Sequence, residues 1–169
     1  MKPCTTFLRL FLLLTIITST AFAGQATANL TVTTQVEASC STFNVSNIAF
    51  AAYSGTAINQ TGTVTINCIA GASYDISMGA GLGAGATVAA RYLTNQTSGM
   101  SDQKLEYKLY SDSGRTVLWG DGTAGTSTVA GTATGADQVH TIYGTVTGGQ
   151  TGRKVGTYQD TVVVTLTFN

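Results

Sequence analysis

The stretch YQDTVVVTLTFN, residues 158–169, alternates from Thr161 onward: Val162, Val164, Leu166 and Phe168 fall on one face, and Thr161, Val163, Thr165 and Thr167 on the other. Successive side chains of an extended strand point to opposite sides, so a period of two predicts a half-buried β-strand with its apolar face toward a core. The sequence closes one residue after Phe168, and we expect nothing to follow this strand and cover its far edge. An open edge leaves a row of unpaired N–H and C=O groups, which folded proteins normally blunt or pair.

The same period recurs upstream. Val64, Ile66 and Cys68 alternate with Thr63, Thr65 and Asn67; Tyr74, Ile76 and Met78 with Ser73, Asp75 and Ser77; Leu105, Tyr107 and Leu109 with Lys104, Glu106 and Lys108. Two further strands are read at TVLWG, 116–120, and VHTIYGTV, 139–146. No window of helical length carries apolar residues at i, i+3, i+4 and i+7. Short strands parted by glycine-rich connections define an all-β sandwich. Two connections, 79–90 (GAGLGAGATVAA) and 121–137 (DGTAGTSTVAGTATGAD), hold almost nothing bulky. They are flexible loops or small-residue strands that pack closely, and we read both as loops at the ends of the sandwich.

At the other end, Lys2 and Arg9 flank the start of an apolar run, and Ala21-Phe22-Ala23 supplies a small-residue cleavage signal. Residues 1–23 therefore read as a secretory signal peptide, with no later run long enough to span a bilayer. Without it the chain keeps six basic and eight acidic residues, a net charge of −2. So weak a charge offers no basic surface for phosphates or anionic lipid, so neither nucleic acid nor membrane insertion is expected. Cys40 and Cys68 remain as an even pair in an oxidising compartment and are read as one disulfide. The roughly 146 residues beyond the signal suffice for one domain with a sizeable core.

Chemistry is scarce. Gly81, Gly83 and Ala86 match a dinucleotide-binding fingerprint with Asp102 beyond, but those glycines must open a helix inside a βαβ unit, and no helical period follows. Asp137 precedes the single histidine, His140, by three residues, a spacing that faces opposite sides of a strand and makes no local triad. His140 reads as a strand-end residue. One histidine and two paired cysteines do not assemble a transition-metal site. Asp102, Glu106 and Asp112 sit among Lys104, Lys108 and Arg115, the pattern of a solvated hairpin face rather than an acid/base pair. Trp119 beside Gly120 reads as core. No catalytic residue, cofactor or metal is expected.

One anomaly remains. ATANLTVTTQVEASC, 26–40, places Ala28, Leu30, Val32 and Val36 on one face of a strand that precedes the first disulfide cysteine, where a compact sandwich would otherwise begin. An extra strand in front and an uncovered strand behind are reconciled if one copy's front strand fills the next copy's gap. That contact is head-to-tail, does not close, and builds a fibre; strand addition of this kind is a known mode of chaperone–pilin recognition. The expected organisation is a donor extension at 24–39 carrying Ala28, Leu30, Val32 and Val36, then a domain at 40–169 whose acceptor groove is formed by Val162, Val164, Leu166 and Phe168.

CSTFNVSNIAFAAYSG from Cys40, GTVTINC ending at Cys68, YDISMGAG, LEYKLYSDSGRTVLWGDG, IYGTV and the closing GTYQDTVVVTLTF occur in one order and spacing. In these the chain resembles the spore coat protein U domain family, which includes the major subunits of archaic (Csu-type) chaperone-usher pili. The resemblance implies an incomplete immunoglobulin-like β-sandwich lacking its last strand, held by a periplasmic chaperone, polymerised at an outer-membrane usher, and displayed in a cell-surface pilus that supports attachment and biofilm formation. A secreted spore-coat or surface-coat protein, or a glycan-binding module, is the alternative, and it would need no chaperone.

Overall fold

The computed structural model describes residues 24–169; the expected signal peptide lies outside the described residues. The chain divides into two units, Met1–Gln35 and Val36–Asn169. In the first, residues 24–35 form no strand, and Leu30 and Val32 are 87% and 82% exposed.

The second unit carries nine described strands: β1 (Cys40–Val45), β2 (Ile58–Cys68), β3 (Ser73–Met78), β4 (Arg91–Asn95), β5 (Lys104–Tyr110), β6 (Val129–Thr132), β7 (Gln138–Val146), β8 (Tyr158–Gln159) and β9 (Val164–Phe168). They form two antiparallel sheets, one ordered β1-β2-β7-β5-β4-β8 and the other β6-β3-β9, with no helix among the described residues. The alternation read on β2, β3 and β5 is what joins them. Val64, Ile66, Cys68, Tyr74, Ile76, Met78, Leu105, Tyr107 and Leu109 all turn inward and are buried in one core. Each large apolar side chain so placed contributes about 1.5–3 kcal/mol of transfer free energy. Trp119 belongs to this core, its indole N–H donating to the Ile76 carbonyl at 2.9 Å. Cys40 and Cys68 are bonded, facing one another across β1 and β2, so the disulfide pins β1 to β2.

Two expectations need correction. TVLWG is no strand; Leu118 and Trp119 make single bridges to Tyr110 and Ser127, because Trp119 turns into the core at that point. The connection 121–137 is not wholly a loop, since β6 lies within it and pairs with β3. Its small residues permit the pairing: a Cβ on Gly131 would lie 2.6 Å from the Tyr74 hydroxyl oxygen, so only glycine lets that strand sit over the ring. The other connection, 79–90, contains no strand.

Candidate functional site: the open seam between two strand edges

Among the described residues β9 pairs only with β3, and β1 only with β2. Residues directly opposite on paired strands share a face, which makes exposure on these strands informative. Val164, Leu166 and Phe168 stand opposite Met78, Ile76 and Tyr74. The three β3 residues are buried, whereas Val164 and Leu166 are half-buried and Phe168 is 39% exposed. On the other sheet Phe43 and Val45 stand opposite Ile66 and Val64. Those β2 residues are fully buried, while Phe43 and Val45 are 40% and 43% exposed. Both strands turn apolar side chains toward the core, and both lack cover at the seam where their edges meet.

The seam continues beyond the strands. Ile48, Phe50 and Tyr53 follow β1, Tyr158 and Val162 precede β9, and all are half-buried against the core. A cavity of 260 Å³ lies between residues 45–50 and 159–164, and one of 580 Å³ between residues 48–53 and 153–160. They share Ile48, Phe50, Leu93, Gln159 and Asp160, so they are parts of one groove whose rims run antiparallel. Leu93, Leu105, Leu109, Ile142 and Val146 supply most of its floor.

Of the residues expected in the groove, Val162 and Val164 line it, whereas Leu166 and Phe168 continue the same face of β9 beyond it and line neither cavity. The opposite rim, Val45, Ile48 and Phe50, with Phe43 beyond it, escaped the sequence reading, because the two-residue spacing in TFNVSNIAF breaks between Val45 and Ile48. Ala28, Leu30, Val32 and Val36 lie in no strand.

Polar groups share the groove's lining, among them Arg153, Lys154, Gln159, Asp160 and Thr161. Asp160 accepts the Tyr107 hydroxyl at 2.6 Å and the backbone N–H groups of Leu82 and Thr161, each at 2.8 Å. Gly81 thus lets the connection close over a carboxylate: a Cβ there, where φ is +85°, would overlap Asp160. Burial raises the Tyr107 phenol far above its ordinary range, and the bond to Asp160 adds to the shift. Burial also lowers the Arg91 guanidinium from its ordinary value. His140 turns to Tyr74, 3.1 Å from its hydroxyl, while Asp137 accepts from the Asn67 amide at 2.8 Å. Among the described residues no group of three or more His, Cys, Asp or Glu is placed to hold a metal ion.

The geometry defines an antiparallel β-sandwich with an open groove along one seam, its floor apolar and its rims mixed. The chain belongs to the Spore Coat Protein U domain family, which matches residues 26–165. It is 35% identical over 163 residues, 89% of each chain, to "Protein U" of Myxococcus xanthus. Among solved structures it resembles the CsuC–CsuE chaperone–tip adhesion subunit pre-assembly complex from the archaic chaperone-usher Csu pili of Acinetobacter baumannii, with a TM-score of 0.56 and 20% identity over 78% of this chain and 40% of that one. The chain therefore spans about two-fifths of that chain's length, and the likeness is one of fold. A chaperone–tip adhesin complex of CFA/I fimbriae biogenesis aligns with a TM-score of 0.46 and 10% identity over 74% and 41% of the two chains.

Proposed function

We propose that this protein is a structural fimbrial subunit of a pilus shaft that polymerises by donor-strand exchange, residues 28–36 of one copy filling the groove of the next. The observation that carries the reading is the exposure of core-facing residues on both rims, Phe43 and Val45 on one and Phe168 on the other. Two antiparallel rims with one gap between them suit a single strand, which runs parallel to one rim and antiparallel to the other. The exposed Leu30, Val32 and Val36 provide apolar side chains with the spacing of a strand. A periodic apolar segment and a groove with an apolar floor on the same chain support a head-to-tail contact that does not close on itself.

The partners follow from that state. An unfilled groove would expose apolar surface in transit, so the subunit requires a periplasmic chaperone before an outer-membrane usher adds it to a surface pilus. The relationship of fold to a chaperone-bound subunit of archaic pili supports this route. Attachment and biofilm formation are then properties of the fibre, and the subunit itself performs no catalysis. The kinship to Protein U favours a second reading, a spore-coat or surface-coat structural protein, which would fold without a chaperone.

The test places a charge on the donor strand. Leu30→Asp and Val32→Asp leave the subunit's own core untouched, yet each would carry an unpaired carboxylate into the groove of the next copy, a cost of several kcal/mol. Each variant, expressed with a chaperone and usher that assemble the parent chain, is expected to give monomer and no ladder on unheated detergent gels. Normal ladders from both variants would remove the donor strand from the proposal.

A further inference from the structure

We propose that Asp160 is a positioning residue for strand capture: its carboxylate, clamped between Tyr107 and the 79–90 connection, fixes the width of the groove at its midpoint. The proposal rests on reading the groove as the acceptor.

Asp160 lies between β8, in the six-stranded sheet, and β9, in the three-stranded one. The chain thus changes sheets along one rim, and a crossover without ladder partners needs some other restraint to hold its place. Two restraints come from the 79–90 connection, where the Leu82 N–H donates to Asp160 Oδ1 at 2.8 Å and the Gly79 N–H to the Val163 carbonyl at 2.9 Å. The third comes from the core, where the Tyr107 hydroxyl donates to Oδ2 at 2.6 Å. Tyr107 is buried on β5, and its ring meets Phe50 of the opposite rim edge-on, with centroids 6.4 Å apart at 61°. Asp160, Tyr107 and Phe50 therefore cross the groove from rim to rim, and all three line its 260 Å³ part.

The charge of the carboxylate has a fixed counterpart. Arg91 is almost completely buried, binding the carbonyls of Gly79, Met78 and Trp119 at 2.8, 3.2 and 3.0 Å while its Nη1 finds no partner among the described residues. Its positive charge acts on both Asp160 and Tyr107. A hydrogen bond to a charged group is strong and directional, and this part-buried one is made within the subunit, so it persists whether or not a strand occupies the groove. Asp160 contributes no apolar surface to an incoming strand. Its effect on capture must pass through the placement of Val162 and Val164 relative to Phe50.

Capture is measured with a fluorescent peptide of residues 26–37 added to the purified full chain on a Leu30→Asp background, which keeps copies from filling one another. Rates are taken well below each variant's melting temperature, so that loss of fold and loss of capture are read separately. Asp160→Ala is expected to slow capture at least ten-fold, and Tyr107→Phe several-fold. Asp160→Asn keeps an acceptor for Leu82 and should recover most of the rate, which general destabilisation would not reproduce. If Asp160→Ala fails to fold, Tyr107→Phe and Asp160→Asn carry the comparison. Capture by Tyr107→Phe and by the folded Asp160 variants within two-fold of the parent overturns the positioning role alone. Absence of capture by the parent overturns the acceptor reading and this inference with it.

Discussion

His140 and Tyr74 connect the two sheets, their rings edge-on with centroids 5.6 Å apart. Burial lowers the imidazole from its ordinary value of 6.5, so the folded chain favours the neutral ring, hydrogen-bonded to the Tyr74 hydroxyl. The unfolded chain binds its proton as pH falls through the ordinary histidine range, while the folded chain resists. The contribution of His140 is therefore complete above that range and is lost as pH falls from it toward the lower folded value. Urea midpoints should drop between about pH 7.5 and about pH 5.5, and His140→Gln should flatten the drop. Asp112 is lowered chiefly by the Val117 backbone N–H and Asp121 by the Thr123 hydroxyl, both from 3.8. Their contributions are lost only as pH falls below that value, which keeps the two windows apart. Arg91 offers a second residue-scale test. Its fork serves three carbonyls that the single ammonium of lysine cannot reach together, so Arg91→Lys should cost on the order of 2 kcal/mol, read as a lower urea midpoint with an unchanged slope. Neither role was legible in the sequence, because Arg91 and His140 owe their partners to chain segments brought near only by the sandwich. Trp119 was read correctly as core, since a large ring with one polar atom has few other stable placements.

At the scale of elements, alternation identified β3, β5 and the second half of β2, where every second residue is apolar and buried. It missed β6, whose Gly131 has no side chain to mark a face, and β4, whose inward residues include the charged Arg91. The groove was half legible for the same reason. Val162, Val164 and Leu166 form a clean period, whereas on the opposite rim the register shifts between Cys40 and Thr42, so no single alternation runs from the disulfide to Phe50. The disulfide itself is an element-scale device, closing a separation of 28 residues. Chain-entropy arguments assign such a loop about 3–4 kcal/mol. The double variant Cys40→Ala/Cys68→Ala should lose on the order of that amount in urea unfolding, and the loss should fall on β1, seen as faster amide exchange at Phe43 and Val45 than at Val64 and Ile66. Equal exchange on both strands would mean that pairing alone holds the rim.

At the scale of the whole molecule, the groove sets a difference between two states of one subunit. In the proposed exchange a strand entering it would bring Leu30, Val32 and Val36 out of water, and at about 1.5–3 kcal/mol for each large apolar side chain the transfer would gain about 5–9 kcal/mol before ordering costs. It would also cover Phe43, Val45 and Phe168, now exposed at 39–43%, and satisfy the free edges of β1 and β9. A gain of that order is comparable with the entire stability of a typical domain. The empty subunit should thus be marginal and aggregation-prone, and the filled one resistant to heat and detergent. The difference is measurable in one chain by appending a second copy of residues 26–37 after Asn169 through a flexible glycine-serine linker, on a Leu30→Asp background that silences the native donor. The tethered strand meets the groove at millimolar effective concentration, so the fusion should be monomeric and melt more than 15 °C above the same chain carrying an Asp at the position of Leu30 in the appended copy. The margin follows from about 4–8 °C per kcal/mol for small domains and somewhat less at this size. Melting of the two fusions within a few degrees of one another would mean that the appended strand does not enter the groove, and that the exposed faces of β1 and β9 are covered by something other than this protein's own N-terminal segment.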